Sequence, residues 1–427
     1  MAKVFHAEIY GLREAKYDWL NKHNIKNVKW NKLEPQSEFY LFIPQDRRMH
    51  KAYQTFEKIT DVFTKYSLGI FTHRDWFLTD FNYKSLSNRI NIFKNSKNEI
   101  EAKALFNLKD TRDWKIKTAL SLLKNEDLII RKYAFRPFDE RYVCYNQSMY
   151  DRGCSRYSLF LGVLLEDEML SINTSRIVQR QSNFTDVLIS NQLTDAHYST
   201  GGNYVFPIYV YPNLDNKDLF SEHETGEKKP NIKPELFEML NKNYSTSPFS
   251  SLSLPRRGIE GEVTVTPEEI FYYIYAVLYS NTYRTKYAEF LKIDFPRVPF
   301  TKDYKLFIQL GKLGKQLADL HLLKSKELEK TISKFPIDGS NKVEKPRFYN
   351  GKVWINKEQY FDSVKEEVWQ YQIGGYQVCE KWLKDRKERT LTLDEIKTYC
   401  KIVTALSITI DLQKEIDKYF EEVEKTL

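Results

Sequence analysis

Between Leu128 and about Pro212 the chain breaks into short aromatic and β-branched runs: Tyr142-Val-Cys-Tyr145, Leu170-Ser-Ile172, Asp186-Val-Leu-Ile189 and Tyr204-Val-Phe-Pro-Ile-Tyr-Val-Tyr211. Turns containing Gly, Asn, Asp or Ser part them, and this pattern predicts strands joined by polar loops. The same segment carries a dense mixture of rings, guanidiniums and amides in Tyr133-Ala-Phe-Arg-Pro-Phe-Asp-Glu-Arg-Tyr142, Asp151-Arg-Gly-Cys-Ser-Arg156 and Asn173-Thr-Ser-Arg-Ile-Val-Gln-Arg-Gln-Ser-Asn183. A core has no need of that mixture, whereas a surface that meets a polar polymer does. The segment therefore reads as the part of the chain that faces nucleic acid.

On its N-terminal side, Lys3-Val-Phe-His-Ala-Glu-Ile-Tyr10 alternates like a strand with no preceding hairpin partner, and Gly11 ends it. A short helix is expected over Leu12 to Asn21, a buried strand over Glu38 to Pro44 and a helix over Arg48 to Lys65. Ser67-Leu-Gly-Ile-Phe-Thr72 follows, then helical pattern from Ser85 toward Lys124. On the C-terminal side, the polar interval from Asn213 to Gly261 reads as a linker or loop. Thr266-Pro-Glu-Glu269 then opens a helix, with proline at its first position and acids in its first turn. Helices are predicted over about 267–280, 283–291, 303–321, 358–386 and 393–412, with a short strand at Ile355 and a charged amphipathic helix closing the chain. The expected class is α+β. It comprises a mixed α/β connector over 1–125, a β-rich domain over 126–260 that includes the polar loop, and a helical part over 261–427; a length of 427 residues suits more than one core.

The balance of 66 basic against 58 acidic residues permits a polyanion partner without demanding one. From Asn281 to Lys315, however, Arg284, Lys286, Lys292, Arg297, Lys302, Lys305, Lys312 and Lys315 face only Glu289, Asp294 and Asp303. That local excess is enough to follow a phosphate backbone, and Arg256-Arg257 lies just upstream. Aromatics make up 15% of the chain, and its many tyrosines suit surfaces wet on one side and packed on the other. No apolar run approaches the roughly 20 residues of a bilayer helix and no signal peptide opens the chain, so a cytoplasmic protein with no membrane partner is expected. Cys144, Cys154, Cys379 and Cys400 form no Cys-x-x-Cys pair, and read as reduced structural thiols.

Several chemistries lack their motifs. The chain has no glycine-rich turn for S-adenosylmethionine, no Pro-Pro loop for a flipped adenine and no GxxxxGK[ST] loop for ATP. His73-Arg-Asp75 imitates a kinase catalytic loop, yet the metal-binding Asn is replaced by Asp80 and no Asp-Phe-Gly follows. Asp80 with Glu101-Ala-Lys103, and Asp215 with Glu227-Lys-Lys229, fit the loose carboxylate and lysine pattern of metal-dependent nucleases. Such triplets are common in Lys- and Glu-rich chains, where a solvated face is the ordinary reading. His197 reads as a loop hydrogen-bonder. No catalytic or metal-binding residue is assigned, and a stand-alone nuclease or a protein-binding scaffold stays as the alternative.

Seven stretches together resemble the C-terminal part of the single-polypeptide Type I (Type ISP) restriction-modification enzymes. They are Tyr10-Gly-Leu-Arg-Glu-Ala-Lys-Tyr17, Phe39 to Pro44, Gly69-Ile-Phe-Thr-His-Arg-Asp75, Tyr133 to Arg141, Val205 to Tyr211, Tyr283 to Pro299, and Ile373-Gly-Gly-Tyr-Gln-Val-Cys-Glu-Lys-Trp-Leu-Lys-Asp-Arg386. The resemblance covers nearly the whole chain and implies the tail of an adenine-N6 methyltransferase followed by a target recognition domain. It also implies that S-adenosylmethionine, Mg and ATP belong to domains outside this chain, or to a separate methyltransferase, helicase or nuclease chain. The expected function is sequence-specific recognition of double-stranded DNA. Arg152, Arg156, Arg176, Gln179, Arg180, Gln181 and Asn183 are the groove candidates, since guanidiniums and amides make bidentate contacts to base edges. Arg284, Lys286, Arg297, Arg256 and Arg257 are the phosphate candidates, although Asp294 to Pro299 reads equally as a packed joint. Arg136 and Arg141 either contact phosphate or brace the turn at Asp139.

Overall fold

The hairpin of Ile130–Arg136 and Asp139–Cys144 is the axis around which the main body is laid. Ile130, Tyr133 and Phe135 turn inward along the first strand, and the register slips between Ala134 and Arg136. Phe138 in the turn takes a positive φ of 59°, a backbone state that a side chain other than glycine adopts at a cost. Tertiary bonds hold it there: Phe138 O accepts from Trp382 Nε1 at 3.1 Å, and Asp139 next to it accepts from Arg386 at 2.9 Å.

This structure, a computed structural model, describes residues 3–9, 12–35, 40, 42, 44, 47–166, 168–178, 184–211, 228–245 and 264–427. It has an α+β architecture of helices and several small sheets. Two compact units divide after Thr55. In the first, Val4–His6 pairs antiparallel with Asn31–Leu33, and the helix Arg13–Lys22 buries no residue.

In the second unit, Leu193–Thr194 joins the hairpin in parallel on one edge, and Thr79–Asp80 joins antiparallel on the other. The helices Tyr83–Lys94, Glu99–Phe106 and Ile116–Leu123 lay Leu86, Ile90, Phe93, Ala102, Ile116 and Leu120 into one core with Tyr133 and Val143. Asn82 and Asn98 cap the first two, each accepting from backbone N–H groups of the first turn. A second, antiparallel sheet runs in the order Ser67–Leu68, Tyr204–Pro207, Ser171–Thr174, Val187–Ser190. Strands from before residue 125 thus lie in both sheets.

The helix Pro267–Tyr279 starts with the capping box that Thr266 and Glu269 announce, and is buried from Ile270 to Tyr279 apart from Tyr272. It packs against Tyr304–His321, where Gly314 lets the two backbones approach closely. The chain ends in a single helix, Leu393–Lys425, about 50 Å long by its rise per residue.

Several expected elements differ. The helix expected over 358–386 is a strand Tyr360–Phe361, a single turn Glu366–Trp369, a hairpin of Gln372–Ile373 with Tyr376–Gln377, and a short helix Val378–Lys384. The glycine pair Gly374-Gly375, with φ of 61° and 76°, makes the hairpin turn that a helix cannot contain. The helix expected from Arg48 ends at Gln54, because Glu57–Lys58 pairs with Arg297–Val298. Of the strand expected over Glu38 to Pro44, the described Tyr40 and Phe42 are exposed and unpaired in any sheet. Cys144, Cys379 and Cys400 are buried free thiols, and burial pushes the first two up to about 12 and the third up to about 11. Among the described residues no helix is long and apolar enough to cross a membrane.

Candidate nucleic-acid interface

The loop from Asp195 to Asn203 is the scaffold onto which the arginine-bearing stretches are tied. Ile70 N donates to Thr194 O at 2.8 Å, and Ala196 N to Ile70 O at 2.9 Å, so the start of this loop lies beside Ile70. Asn203 is buried, and its amide donates to Asn173 Oδ1 at 3.0 Å and to Asp195 O at 3.1 Å, closing the loop on itself. Nearby, buried Asp186 accepts from Ser175 Oγ at 3.0 Å and from Ser199 Oγ, while Ser175 Oγ also lies 2.7 Å from Gly202 O. The segment that carries Arg176 is thereby clamped to residues 199–202. A Cβ on Gly201 would stand 2.5 Å from Ile177 O, so only glycine allows that approach.

Asp195 is the electrostatic centre. Its carboxylate accepts from Tyr133 Oη, from Arg136 Nη1 at 2.9 Å and from His197 N at 2.6 Å, and the His197 ring stands 3.5 Å away. Burial alone would raise this carboxyl, but the bonds from His197, Arg136 and Tyr133 outweigh it and hold the group below its ordinary range. The hydrogen bond to Asp195 in turn raises His197 above the usual histidine value, although the imidazole is 61% exposed. The Arg136 guanidinium lies over Phe135, 3.9 Å from the ring centre, with the Tyr376 ring at 5.8 Å, and Tyr376 Oη donates to His197 O at 3.0 Å. The Gly374-Gly375 turn reaches the same loop, where Thr200 N donates to Gly374 O at 2.8 Å.

The stretch from Asp151 to Arg156 joins from the other side, since Phe71 N donates to Cys154 O at 3.2 Å. Asp151 is anchored by Arg74, whose guanidinium stacks on Trp114 at 3.9 Å, and by Thr111 Oγ1 at 3.1 Å. Gly153 and Arg156 take positive φ values of 73° and 53°, which turns the loop outward and leaves Arg152 exposed. Arg156 lines a cleft of about 850 Å³ with Lys65, Tyr66, Tyr157 and Tyr211. The Phe71 ring makes near-perpendicular contacts with His73 at 5.8 Å and with His197 at 5.7 Å. Arg136, Arg152, Arg156 and Arg176 are therefore brought to one cluster of loops, together with His73 and His197.

Other candidates are placed elsewhere. Arg141 braces the hairpin turn, donating to Asp139 at 2.8 Å while stacked on Phe135 and Phe81. Arg284 is buried, donates to Leu278 O at 2.6 Å and covers Tyr279, so its guanidinium is not displayed to solvent. Lys286 pairs with Glu424 at 2.8 Å, and Arg297 donates to Phe56 O at 3.0 Å. The Asp294 to Pro299 stretch is a joint: Asp294 takes Lys58 at 2.5 Å and Arg176 at 3.2 Å, and Phe295 packs edge-on to Tyr204. Gln179, Arg180, Gln181, Asn183, Arg256 and Arg257 lie outside the described residues, as do Asp215 and Glu227. In the other nuclease-like triplet, Asp80 pairs with Arg89, Glu101 caps Lys97 N and Lys103 pairs with Asp110. Its three members are thus committed to separate partners, and no metal-holding group of acids, histidines and cysteines occurs among the described residues.

The family model of the Type ISP C-terminal specificity domain matches residues 61–415. The chain belongs to that family. Three solved structures share the fold of this specificity domain. The ATP-dependent Type ISP restriction-modification enzyme LlaBIII bound to DNA is 19% identical over 91% of this chain and 25% of its own, with a TM-score of 0.66. A nuclease-deletion mutant of the Type ISP enzyme LlaGI in complex with a DNA substrate mimic is 20% identical over 97% and 33%, at 0.68. A DrdV–DNA complex is 18% identical over 95% and 41%, at 0.68. The chain thus spans between a quarter and about two fifths of the length of these proteins. Among curated proteins none matches it. Within the specificity domain, sequence reasoning missed Phe71, His73, Asp195 and Tyr376 as parts of the cluster. The glycine pair before Tyr376 was the readable sign that a tight turn presents that ring.

Proposed function

We propose that this specificity domain recognises double-stranded DNA in a sequence-dependent way through the loop cluster built on Asp195 to Asn203. The bonding of the segments that bear Arg136, Arg152, Arg156 and Arg176 to the loop from Asp195 to Asn203, directly or through residues 70–71, is the observation that carries the reading, and the solved structures of similar fold are themselves complexes with DNA. Exposed guanidiniums supply phosphate attraction, and those that reach into a groove read base edges. Gln179, Arg180, Gln181 and Asn183 follow Arg176 in the chain and are assigned to base edges on residue type. Adenine-N6 methylation and cleavage are then directed by this domain and performed by other domains or a partner chain, which hold S-adenosylmethionine, Mg and ATP.

Binding of a labelled duplex library across a salt series tests the reading. Arg152→Glu and Arg176→Glu are each expected to weaken binding and to lower the slope of log K against log salt by about 1. Duplex affinity indifferent to salt, or unchanged in both variants while they stay folded, would overturn it.

A further inference from the structure

A second surface combines rings and free cations. Asn350 and Gly351, with φ of 48° and 72°, form a two-residue turn of the type that matches strand twist, and so join Arg347–Tyr349 to Lys352–Trp354, with Tyr360–Phe361 beyond. The register sets Phe348, Val353 and Phe361 on one face, where Phe348 stacks on Trp369 and Phe361 packs on Tyr399 at 4.2 Å. By the two-residue period of a strand, the other face carries Arg347, Tyr349, Lys352, Trp354 and Tyr360. There the Trp354 ring stands 4.6 Å from Tyr360, Lys352 Nζ lies 4.2 Å from the Tyr360 ring centre, and Tyr349 is 72% exposed.

From Lys342 to Tyr360 the chain has five cations against two carboxylates. Lys342 pairs with Glu388 at 2.8 Å, while among the described residues Lys345, Arg347, Lys352 and Lys357 pair with no carboxylate. The rings and Arg347 alone would suit a protein partner as well, but three lysines without a carboxylate partner among the described residues favour a polyanion, because lysine is depleted in protein interfaces. A duplex hides its base faces, so an exposed ring between cations is of use to a strand whose bases are unpaired.

We propose that the outer face of this sheet binds the unpaired nucleotides of a single strand, with Tyr349 as the stacking ring and Arg347 and Lys352 on the phosphates. Fluorescence anisotropy of labelled oligothymidylate with the full chain tests it, with oligouridylate alongside to tell a DNA strand from an RNA one. Tyr349→Ala is expected to weaken binding about fivefold or more. Arg347→Glu with Lys352→Glu is expected to weaken it further and to lower the log–log salt slope by about 1.4. Tyr349 and Arg347 are exposed, so thermal melting of Tyr349→Ala should match the parent; Lys352 is half-buried against Tyr360, so circular dichroism accompanies the double variant to show it folded, and duplex binding through the loop cluster should be unchanged in both. Either oligonucleotide binding in a Tyr349-dependent way supports the proposal. Unchanged oligonucleotide affinity in both variants, or an equal loss of duplex and single-strand binding, would overturn it, the latter by showing a face that merely tracks phosphate.

Discussion

Replacing Asp139 by alanine tests why the aromatic and arginine hairpin has the form it has. Asp139 is 1% exposed and accepts from Arg141 at 2.8 Å and from Arg386 at 2.9 Å. Those guanidiniums are sandwiched by rings: Arg386 covers Trp382 at 3.5 Å, and Arg141 covers Phe135 at 3.7 Å and Phe81 at 4.3 Å. Removing one partner of a buried pair ordinarily costs about 3–5 kcal/mol, because the other charge stays behind unpaired. Here each arginine keeps a second acid, Glu395 at 3.2 Å for Arg386 and Asp385 at 3.7 Å for Arg141, which sets the expectation at the lower end, about 3 kcal/mol. For a unit the size of 56–427 the unfolding entropy is about 0.8 kcal/mol/K, so the melting temperature should fall by about 4 °C. Calorimetry with a double-mutant cycle against Arg386→Met should return a coupling of at least about 1 kcal/mol, while the salt slope of duplex binding stays at the parent value. A loss under about 1 kcal/mol with additive effects, or a salt slope that drops in Arg141→Met as it does in Arg152→Glu, would refute the bracing role.

Because Asp195 raises the folded-state pKa of His197, its contribution to stability is complete below about pH 6.5 and is lost as pH rises through the raised value; His197→Ala should flatten both stability and duplex affinity over that window, as followed by imidazole NMR titration and binding. The Asp195 carboxyl, held low, contributes above its unfolded value of 3.8 and loses that contribution as pH falls through the depressed one, so the pair is complete between the two limits. Gly314→Ala places a Cβ 1.9 Å from Tyr272 O and should cost about 1–3 kcal/mol by forcing the helices Pro267–Tyr279 and Tyr304–His321 apart, which chemical denaturation would measure. Gly201→Ala drives a Cβ toward Ile177 O and Ser175 Oγ, displaces Arg176, and should lower duplex affinity more than it lowers the melting temperature.

The elements legible in advance were those whose signal is local. Thr266-Pro-Glu-Glu269 produced its capping box, and the runs at 142–145, 170–172, 186–189 and 204–211 all contain strand residues. The failures share a cause. Between 358 and 386 the apolar spacing suits a helix, but Phe361, Val368, Ile373 and Val378 are buried in one core from four different short elements. The site divided in the same way. Arg176 and Arg284 look alike in sequence, yet one is 53% exposed beside Asp294 and the other is buried on Tyr279, a difference set by packing. Beyond the neighbouring His197, the partners Arg136 and Tyr133 of Asp195 lie 59 and 62 residues away in sequence, a separation at which spacing carries no information about contact.

The arrangement separates what must stay from what can vary. Asp195, Asp186, Asn173 and Asn203 are buried and hold the loop backbones through side-chain bonds, a network whose partial loss leaves unsatisfied polar groups at a cost of about 1–3 kcal/mol each. Arg176 extends from one of those loops toward solvent beside Asp294, and Arg152 from the neighbouring loop that Asp151 and Cys154 hold in place. Exchanging such outer side chains removes little from the fold, whereas exchanging the buried acids dismantles the loops that present them. A domain built this way can change the base edges it reads by substitution at exposed loop positions alone, because the geometry that aims them is fixed one layer below.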